Sequence, residues 1–387
     1  MAPPTPEEIT AARAAQSAAI QQAVMQRVQE IWSQMQSARI VLEMSGDAGR
    51  AILNAVLAGQ LTVAQGAQQF VEACMGATAG ATGATGATGA AAAAALAGGP
   101  PPAPPLPLVP ATFAGTASDG RPLESLLYIP AITVADRRAA GESDEDAMLA
   151  GLSQMTRIVS TQIADIAREA DEVAMVADNR VVAYVRVVEP PACSRCILLA
   201  GRIYKILEAK FARHPNCDCG KRPLKALTDD EYDLATNPDA LWEAMSERER
   251  VRTFGSRGAQ AITEGSDMGQ VVNARRGMNT ATAYGHRVQT TTEGTTRRGH
   301  AYHRMRQVGL INEVNDVMVP GQRVMRTMTP RLMPEEIYRL ADGDREHAQR
   351  LLYNHGYLAV GPARQAGFLD ENYRYVPGST RGRPPST

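Results

Sequence analysis

The chain has 387 residues, enough for two or three domains with buried cores. A formal net charge of −1 excludes the global positive field that nucleic-acid binding usually requires. Aromatic residues make up only 5%, which favours long helices and linkers over a dense α/β enzyme core. The N-terminus has no apolar signal region and the charge-free stretch 73–118 is too rich in Gly and Pro for a membrane helix. We therefore expect folding in a reducing cytoplasm, where clustered cysteines hold metal more often than they form disulfides.

The N-terminal residues 1–75 have the pattern of a small helical module. Thr5–Glu8 is typical of a helix start, with a capping residue, a proline and an acidic first turn. Apolar residues at helical spacing predict one long helix to about Leu42: Val24, Val28, Ile31 and Met35. Further helices are expected over 51–57 and after Thr62. A module of this size is expected to need a partner for stability.

Residues 76–120 have the composition of a linker. Glycine recurs every third residue from Gly80 to Gly89, and polyalanine and a proline run at 100–105 follow. The glycine period suggests collagen, but four triplets without proline are too few for a triple helix. A flexible tether followed by a stiff polyproline spacer is the better interpretation.

The region 121–227 is predicted to combine helices with a small antiparallel β element. An apolar stripe with an acidic start at Asp144 predicts a long helix: Met148, Leu152, Met155, Val159, Ile163 and Ile166. Asp165, Arg168 and Glu169 are expected on its solvated side, as i,i+3 neighbours. The β-branched run 181–188 predicts a strand, and 201–206 predicts a second one.

The region 228–370 is predicted to be mostly helical. Helix starts are expected at Thr228, Asn237 and Ser246, and helical segments alternate with glycine breaks up to Gly277. A further helix is expected from Pro334 to Gly356. The tail 371–387 is expected to be disordered. The fold class is therefore α+β, mostly α: a helical body with a β element around a Cys/His knuckle, and an N-terminal helical module on a long linker.

Five potential metal ligands lie between residues 193 and 219. Cys193 and Cys196 form a C-x2-C knuckle, and His214, Cys217 and Cys219 follow some twenty residues later. Soft ligands on two turns suit a closed, tetrahedral, structural Zn²⁺ site, which needs four of the five. Which two of the later three bind is left open. Disulfides in the mature protein, or free thiols packed as small hydrophobic groups, are the alternatives.

No pattern of a catalytic centre accompanies these cysteines. A zinc deaminase needs a His-x-Glu before its cysteine pair, and none precedes Cys193. The sequence contains no phosphate-binding lysine loop, Gly-x-Ser-x-Gly elbow or His-Glu-x-x-His motif. We expect a protein that is not an enzyme, without a small-molecule substrate.

A local excess of arginine marks the region from 275 onward. The segment 285–331 holds eight arginines against three acidic residues. One interpretation is a weak contact with packaged DNA or an acidic protein surface, made by Arg275, Arg276, Arg297 and Arg298. The alternative is an ordinary solvated surface, since few aromatic residues accompany the charges.

The cysteine segment resembles a known family. Cys-x-x-Cys at 193–196, Gly201 and His-Pro-Asn-Cys-Asp-Cys at 214–219 are similar to the C-terminal signature of Mu F-like phage head morphogenesis proteins, with Asp218 where that family usually has arginine. Segments between Pro122 and Tyr357 also resemble the versions from actinobacteriophages, above all 265–278.

This resemblance implies a minor capsid protein of a tailed phage. Such a protein would act in head assembly at or near the portal, with portal, major capsid and scaffold proteins as partners and a possible part in DNA packaging or ejection. It would be found in the host cytoplasm during assembly and then in the virion, inside the head, with no membrane contact. Fusion to a capsid maturation protease and a zinc-dependent DNA-binding module remain alternatives.

Overall fold

The computed structural model describes residues 4–77, 106–188, 190–206, 211, 219–225, 237–283, 286–311 and 316–358. The chain divides into two compact units: unit 1 comprises Met1–Ala192 and Leu199–Asn237, and unit 2 comprises Cys193–Leu198 and Pro238–Thr387. Helices dominate and the sheets are small and antiparallel, which confirms the α+β, mostly α class. Within the described ranges, no helix is both long and apolar enough to cross a membrane. The predicted tail at 371–387 and the predicted helix start at Thr228 lie outside them.

Unit 1 is built on a helical body. Its helices are α1 (Pro6–Ser33), α2 (Ile40–Met44), α3 (Asp47–Gly76), α4 (Leu123–Ala139) and α5 (Asp144–Ala177). The side chain of Thr5 accepts the Glu8 N–H and the Glu8 carboxylate accepts the Thr5 N–H, which confirms the predicted start of α1. Ser143 caps α5 in the same way, by accepting the Asp146 N–H at 3.1 Å.

Two helix boundaries in the N-terminal region differ from the prediction. The first helix ends at Ser33, not near Leu42, and a short turn leads into α2. Because of this turn both Met35 and Ile40 are buried in the core. On one continuous helix these two residues, five positions apart, would point to different sides. The predicted break at Leu61–Thr62 is absent: the Thr62 hydroxyl donates back to the Ala58 carbonyl at 2.7 Å, inside one continuous α3.

The N-terminal helices share one core with the rest of unit 1. Trp32 of α1, Val56 of α3 and Met155 of α5 belong to the same buried cluster. The Trp32 indole N–H donates to the Met148 carbonyl at 3.3 Å, and this bond joins α1 to α5. Residues 1–75 therefore do not stand apart as a tethered body, because their apolar faces are buried by α5.

The end of the predicted linker is also anchored on this body. The Leu108 N–H donates to Gln68 Oε1 at 3.1 Å, and the Gly115 N–H to Gln60 Oε1 at 3.0 Å, both on α3. Ser118 donates its N–H to Gln162 Oε1 on α5 at 2.9 Å. Residues 106–120 thus behave as part of unit 1, while residues 78–105 lie outside the described residues.

A three-stranded antiparallel sheet completes unit 1. Its strands are β1 (Ala183–Val187), β2 (Ile203–Lys205) and β3 (Gly220–Leu224), in the order β2-β1-β3. The first two confirm the predicted strands, and Tyr184 lies opposite Tyr204 in their register. The strand β3 has no counterpart among the predicted strands. Gly201 has φ +69 at the turn before β2, where its N–H donates to the Arg186 carbonyl at 3.0 Å.

Unit 2 consists of short helices and two small sheets. The helices are α6 (Ser194–Leu198), α7 (Pro238–Ala244), α8 (Glu247–Phe254), α9 (Ser256–Thr263), α10 (Met268–Ala274), α11 (His300–Gln307), α12 (Pro334–Ala341) and α13 (Arg345–Asn354). The strands are β4 (Met278–Ala283), β5 (His286–Thr291), β6 (Asp316–Met318), β7 (Met325–Thr327) and β8 (Arg331–Leu332), in sheets β4-β5-β8 and β6-β7.

The predicted single helix from Pro334 to Gly356 is two helices. Asp342 takes a left-handed conformation with φ 47, and Gly343 follows with φ 84. Asp344 then caps α13 by accepting the His347 N–H at 3.0 Å. The apolar spacing runs through this point, but a left-handed residue followed by a capping aspartate ends one helix and starts the next.

Candidate functional site

The first cysteine pair lies at the start of α6 in unit 2, with Cys193 just before the helix and Cys196 within it. The Cys196 N–H donates to Cys193 Sγ at 3.4 Å, and the Ile197 N–H donates to the Cys193 carbonyl at 3.0 Å. Cys193 is exposed and Cys196 is buried. A backbone N–H directed at sulfur stabilises negative charge there, and the thiolate is the form that binds metal. The two cysteines of the C-x2-C spacing thus lie within hydrogen-bond distance of each other, and their role as metal ligands stays a prediction.

The last cysteine is held by an arginine in unit 1. Cys219 immediately precedes β3 and is buried. Burial lowers the pKa of Arg186 on β1, but hydrogen bonds to Tyr204 and Cys219 outweigh it and raise this pKa above its ordinary value. The Arg186 guanidinium also lies 3.7 Å from the ring centre of Phe211. Cys219 is therefore fixed beside a permanent positive charge.

The other two candidate ligands, His214 and Cys217, lie outside the described residues. Of the rest, the structure brings Cys193 and Cys196 together, and Cys219 belongs to the other compact unit. In the part of the chain that the structure describes, no group of three or more His, Cys, Asp and Glu side chains could hold a metal ion. Cys74 is a free thiol, buried in the core of unit 1.

Aromatic rings and cations form a layer on the unit 1 sheet next to Cys219. Tyr184 and Tyr204 stack with ring centres 5.2 Å apart and planes 10° from parallel. The Lys221 ammonium lies 5.2 Å from the Tyr184 ring centre and 5.0 Å from that of Phe211. Burial, followed by the charge of Glu172, raises the pKa of Tyr184 to about 12, so its phenol stays protonated at neutral pH. This layer fixes the strands that flank the cysteine segments.

Buried ion pairs connect the helices of unit 1 with its sheet. Arg13 of α1 contacts Asp171 of α5 at 2.8 and 3.1 Å and also donates to the Val63 carbonyl on α3 at 2.7 Å. On β3, Lys221 pairs with Glu172, and Arg222 lies 3.4 Å from the Glu7 carboxylate. Sequence reasoning missed this network because charged residues are rarely buried unless they are paired, and their partners are distant in sequence.

The predicted solvated face of α5 is wrong for two of its residues. Asp165 is 1% exposed and Arg168 is 8% exposed, and they form an ion pair at 2.6 Å. The i,i+3 pairing of Asp165 and Arg168 agrees with the prediction, and their burial does not. The helix packs against α1, α3, α4 and β3, and the stretch around Asp165 and Arg168 is buried between them, so these polar positions lie inside the unit.

The four arginines proposed for partner contact differ in their surroundings. Arg276, Arg297 and Arg298 are exposed, and Arg275 is half-buried. Arg275 donates to the Phe254 carbonyl at 2.5 Å and pairs with Glu335 at 3.0 Å, and Arg297 pairs with Asp316 at 2.9 Å. Internal contacts thus already engage Arg275 and Arg297, while the side chains of Arg276 and Arg298 extend into solvent.

Two other arginines of the basic segment 285–331 lie inside unit 2. Arg331 is fully buried and donates to the carbonyls of His355 at 2.8 Å and Glu293 at 3.0 Å, and to Gln270 Oε1 at 3.0 Å. Arg304 is 3% exposed and lies 4.1 Å from the ring centre of Tyr353. Their charges hold segments of unit 2 together, so the local arginine excess overstates the basic surface.

Fold and site together define a mostly helical α+β protein whose first cysteine pair lies between its first two strands in the sequence. Residues 127–248, about a third of the chain, match the model of a family described as VG15 protein, a viral family. The match indicates a phage protein, and it includes all five candidate metal ligands. Neither the curated proteins nor the solved structures include a significant match to the chain.

Proposed function

We propose that this chain is a minor capsid protein that acts in head morphogenesis of a tailed phage, at or near the portal. One coincidence carries the proposal: the phage family match at 127–248 covers the same cysteine segment that resembles the Mu F-like signature. The role is structural and not enzymatic. Its partners are the portal, major capsid and scaffold proteins, and its location is the inside of the head.

The architecture supports a role as an assembly component. The best-defined chemical groups of unit 1 are buried ion pairs and an aromatic layer, which rigidify a body rather than open a reaction site. The exposed Arg276 and Arg298 offer weak contacts to packaged DNA, through which the protein could take part in packaging or ejection.

Deletion of the gene from its phage tests the assembly role. We expect infected cells to make tails but few DNA-filled heads, and we expect expression of the full chain in trans to restore them. Mass spectrometry of purified heads should detect the protein. Heads of normal yield and DNA content without the protein, together with its absence from wild-type particles, would overturn the proposal.

We further propose a structural Zn²⁺ held by Cys193, Cys196 and two of His214, Cys217 and Cys219. The Cys196 N–H directed at Cys193 Sγ and the Arg186 contact of Cys219 both suit thiolate ligands. A metal that binds only the folded chain stabilises it.

Metal content per chain tests the zinc site. We expect close to one zinc per chain in protein purified without chelators, with loss on Cys193→Ser and Cys196→Ser and on two of the three later substitutions. Cys74→Ala is the matched control, because Cys74 is buried among the unit 1 helices and should leave the metal in place. A wild-type chain without metal would refute the site.

A further inference from the structure

The strand β4 forms an open edge of the unit 2 sheet. Among the described strands, β5 is its one neighbour. The sequence of β4 is Met-Asn-Thr-Ala-Thr-Ala, without charge or proline. Its six residues pair with β5 in an unbroken register, without a bulge. Protein edges are usually protected by charges, prolines or bulges, and β4 has none of these.

The backbone groups that face this open edge can be identified. The Thr292 N–H donates to the Gly277 carbonyl at 3.0 Å, so residues 277, 279 and 281 are those hydrogen-bonded to β5. The alternating residues Met278, Thr280 and Thr282 therefore direct their N–H and C=O groups outward. One observation supports this assignment: the Thr280 N–H donates to the Asn279 side chain at 2.8 Å. Met278, Thr280 and Thr282 are also exposed.

We propose that β4 pairs antiparallel with β4 of a second copy of this chain. A two-fold axis through Thr280 places Thr280 opposite Thr280 and Met278 opposite Thr282. All of these residues carry outward backbone groups, so each opposed pair exchanges both of its hydrogen bonds. The pairing joins two three-stranded sheets into one continuous sheet.

The outward groups of Met278, Thr280 and Thr282 are placed symmetrically about Thr280, so a second copy of β4 satisfies all of them at once, and charge does not oppose it. In the proposed register no charged side chain of one β4 lies opposite a charged side chain of the other, so no like-charge repulsion opposes the pairing. The Asn279 amide, which now caps the Thr280 N–H, is released to solvent on pairing. One strand pair buries less than the roughly 1,600 Å² of a standard stable interface, so we expect a reversible, concentration-dependent dimer.

Cysteine cross-linking tests the register. In a hydrogen-bonded antiparallel pair the Cα atoms are about 5.5 Å apart, within the range of a disulfide. We expect Thr280→Cys chains to cross-link under mild oxidation, with the bond located by mass spectrometry in the tryptic peptide 277–287 to exclude native thiols.

Thr282→Cys is the matched control. It lies on the same exposed edge, but the two copies of residue 282 would be about 14 Å apart in this register. A mixture of Met278→Cys and Thr282→Cys chains should cross-link, while neither does alone. Cross-linking of Thr282→Cys as efficient as that of Thr280→Cys would overturn the register.

A charge exchange at the axis tests the dimer itself. Thr280→Lys and Thr280→Glu each place like charges opposite one another, so each variant alone should sediment as a monomer at concentrations where the wild type dimerises. An equimolar mixture should recover the dimer, with at least a tenfold lower dissociation constant than either variant alone. A wild-type chain that stays monomeric at all concentrations overturns the proposal and leaves the edge to a strand of a different protein.

Discussion

Arg13 and Asp171 show how one buried pair holds elements together that are distant in sequence. Their side chains are 6% and 10% exposed, and Arg13 also bonds the Val63 carbonyl, so three helices meet at one guanidinium. Burial raises the pKa of Asp171 above its ordinary value, and the adjacent Arg13 opposes this shift. The carboxylate therefore depends on Arg13 to stay charged inside the unit.

Removal of Arg13 should consequently destabilise unit 1. We expect Arg13→Ala to lower the free energy of unfolding by about 3–5 kcal/mol, because it leaves Asp171 buried without its partner. Arg27→Ala is the control: its pair with Glu30 is 60% and 61% exposed, and its loss should cost less than about 1 kcal/mol. Urea unfolding measures both. Equal effects of the two substitutions would contradict the assigned role of Arg13.

His355 should make unit 2 sensitive to acid. Burial, with Arg331 nearby, lowers the pKa of His355 to about 4, and its Nδ1 has no hydrogen-bond partner among the described residues. A histidine with a lowered folded-state pKa contributes stability that is fully present above pH 6.5 and is lost as the pH falls towards 4.

We therefore expect a loss of about 2 kcal/mol in the free energy of unfolding between pH 7 and pH 5, as the unfolded state takes up the proton first. His355→Gln should remove most of this dependence. His303→Gln, on the exposed side of α11, should leave it unchanged. Unfolding curves at both pH values provide the measurement, and an unchanged pH dependence in His355→Gln would exclude His355 as its source.

At the scale of elements, Gly59 sets the approach of α1, α3 and α5. A Cβ at this position would lie 2.6 Å from Val24 Cγ2 and 2.7 Å from Ile163 Cδ1. Alanine favours an isolated helix by about 1 kcal/mol over glycine, but overpacking in a core costs about 1–3 kcal/mol. We expect the cost of overpacking to exceed the gain in helix propensity, because the side chains of Val24 and Ile163 are themselves buried and have little room to move.

Gly59→Ala should accordingly destabilise unit 1 by about 1 kcal/mol net. Gly76→Ala, at the end of the same helix and with no atom of the described residues within 4 Å of its added Cβ, should be neutral or slightly stabilising. Thermal unfolding of both variants provides the comparison. If Gly59→Ala instead raised the thermal stability of unit 1, α1 and α5 would have to accommodate the added Cβ without an energetic cost.

At the scale of the whole molecule, each unit contains one tryptophan that can report on it. Trp32 lies in the unit 1 core, and Trp242 packs edge-on against Phe254 in unit 2, with ring centres 5.2 Å apart. These are the two tryptophans of the chain. Trp242→Phe and Trp32→Phe variants therefore allow the unfolding of the units to be followed separately by fluorescence.

Truncation of the N-terminal helices should disrupt unit 1. A chain that begins at residue 106 lacks α1 and α3, which cover α5, and we expect loss of near-UV circular dichroism from unit 1 and rapid proteolysis at α5. Deletion of residues 80–95 in the glycine- and alanine-rich segment should leave the unit folded. A truncated chain with a protease-resistant α5 would restore the interpretation of residues 1–75 as a separate module.

The sequence by itself determined the local elements whose causes are local. Apolar spacing and capping residues predicted α5 and the starts of α1, α8 and α12, and the β-branched run predicted β1. The C-x2-C spacing places Cys193 close enough to accept the Cys196 N–H at 3.4 Å. These features depend on neighbours within a few residues, so a short window of sequence contains their physical reason.

The tertiary structure alone decided which surfaces are covered. It places residues 1–75 in the core of unit 1, buries Asp165 with Arg168, encloses Arg331 in unit 2 and leaves β4 open at a sheet edge. The local sequence around a charged residue or a strand is the same whether that residue or strand faces solvent or packs against a segment more than a hundred residues away. Burial is a property of the whole packed chain, and for that reason it could not be predicted from spacing.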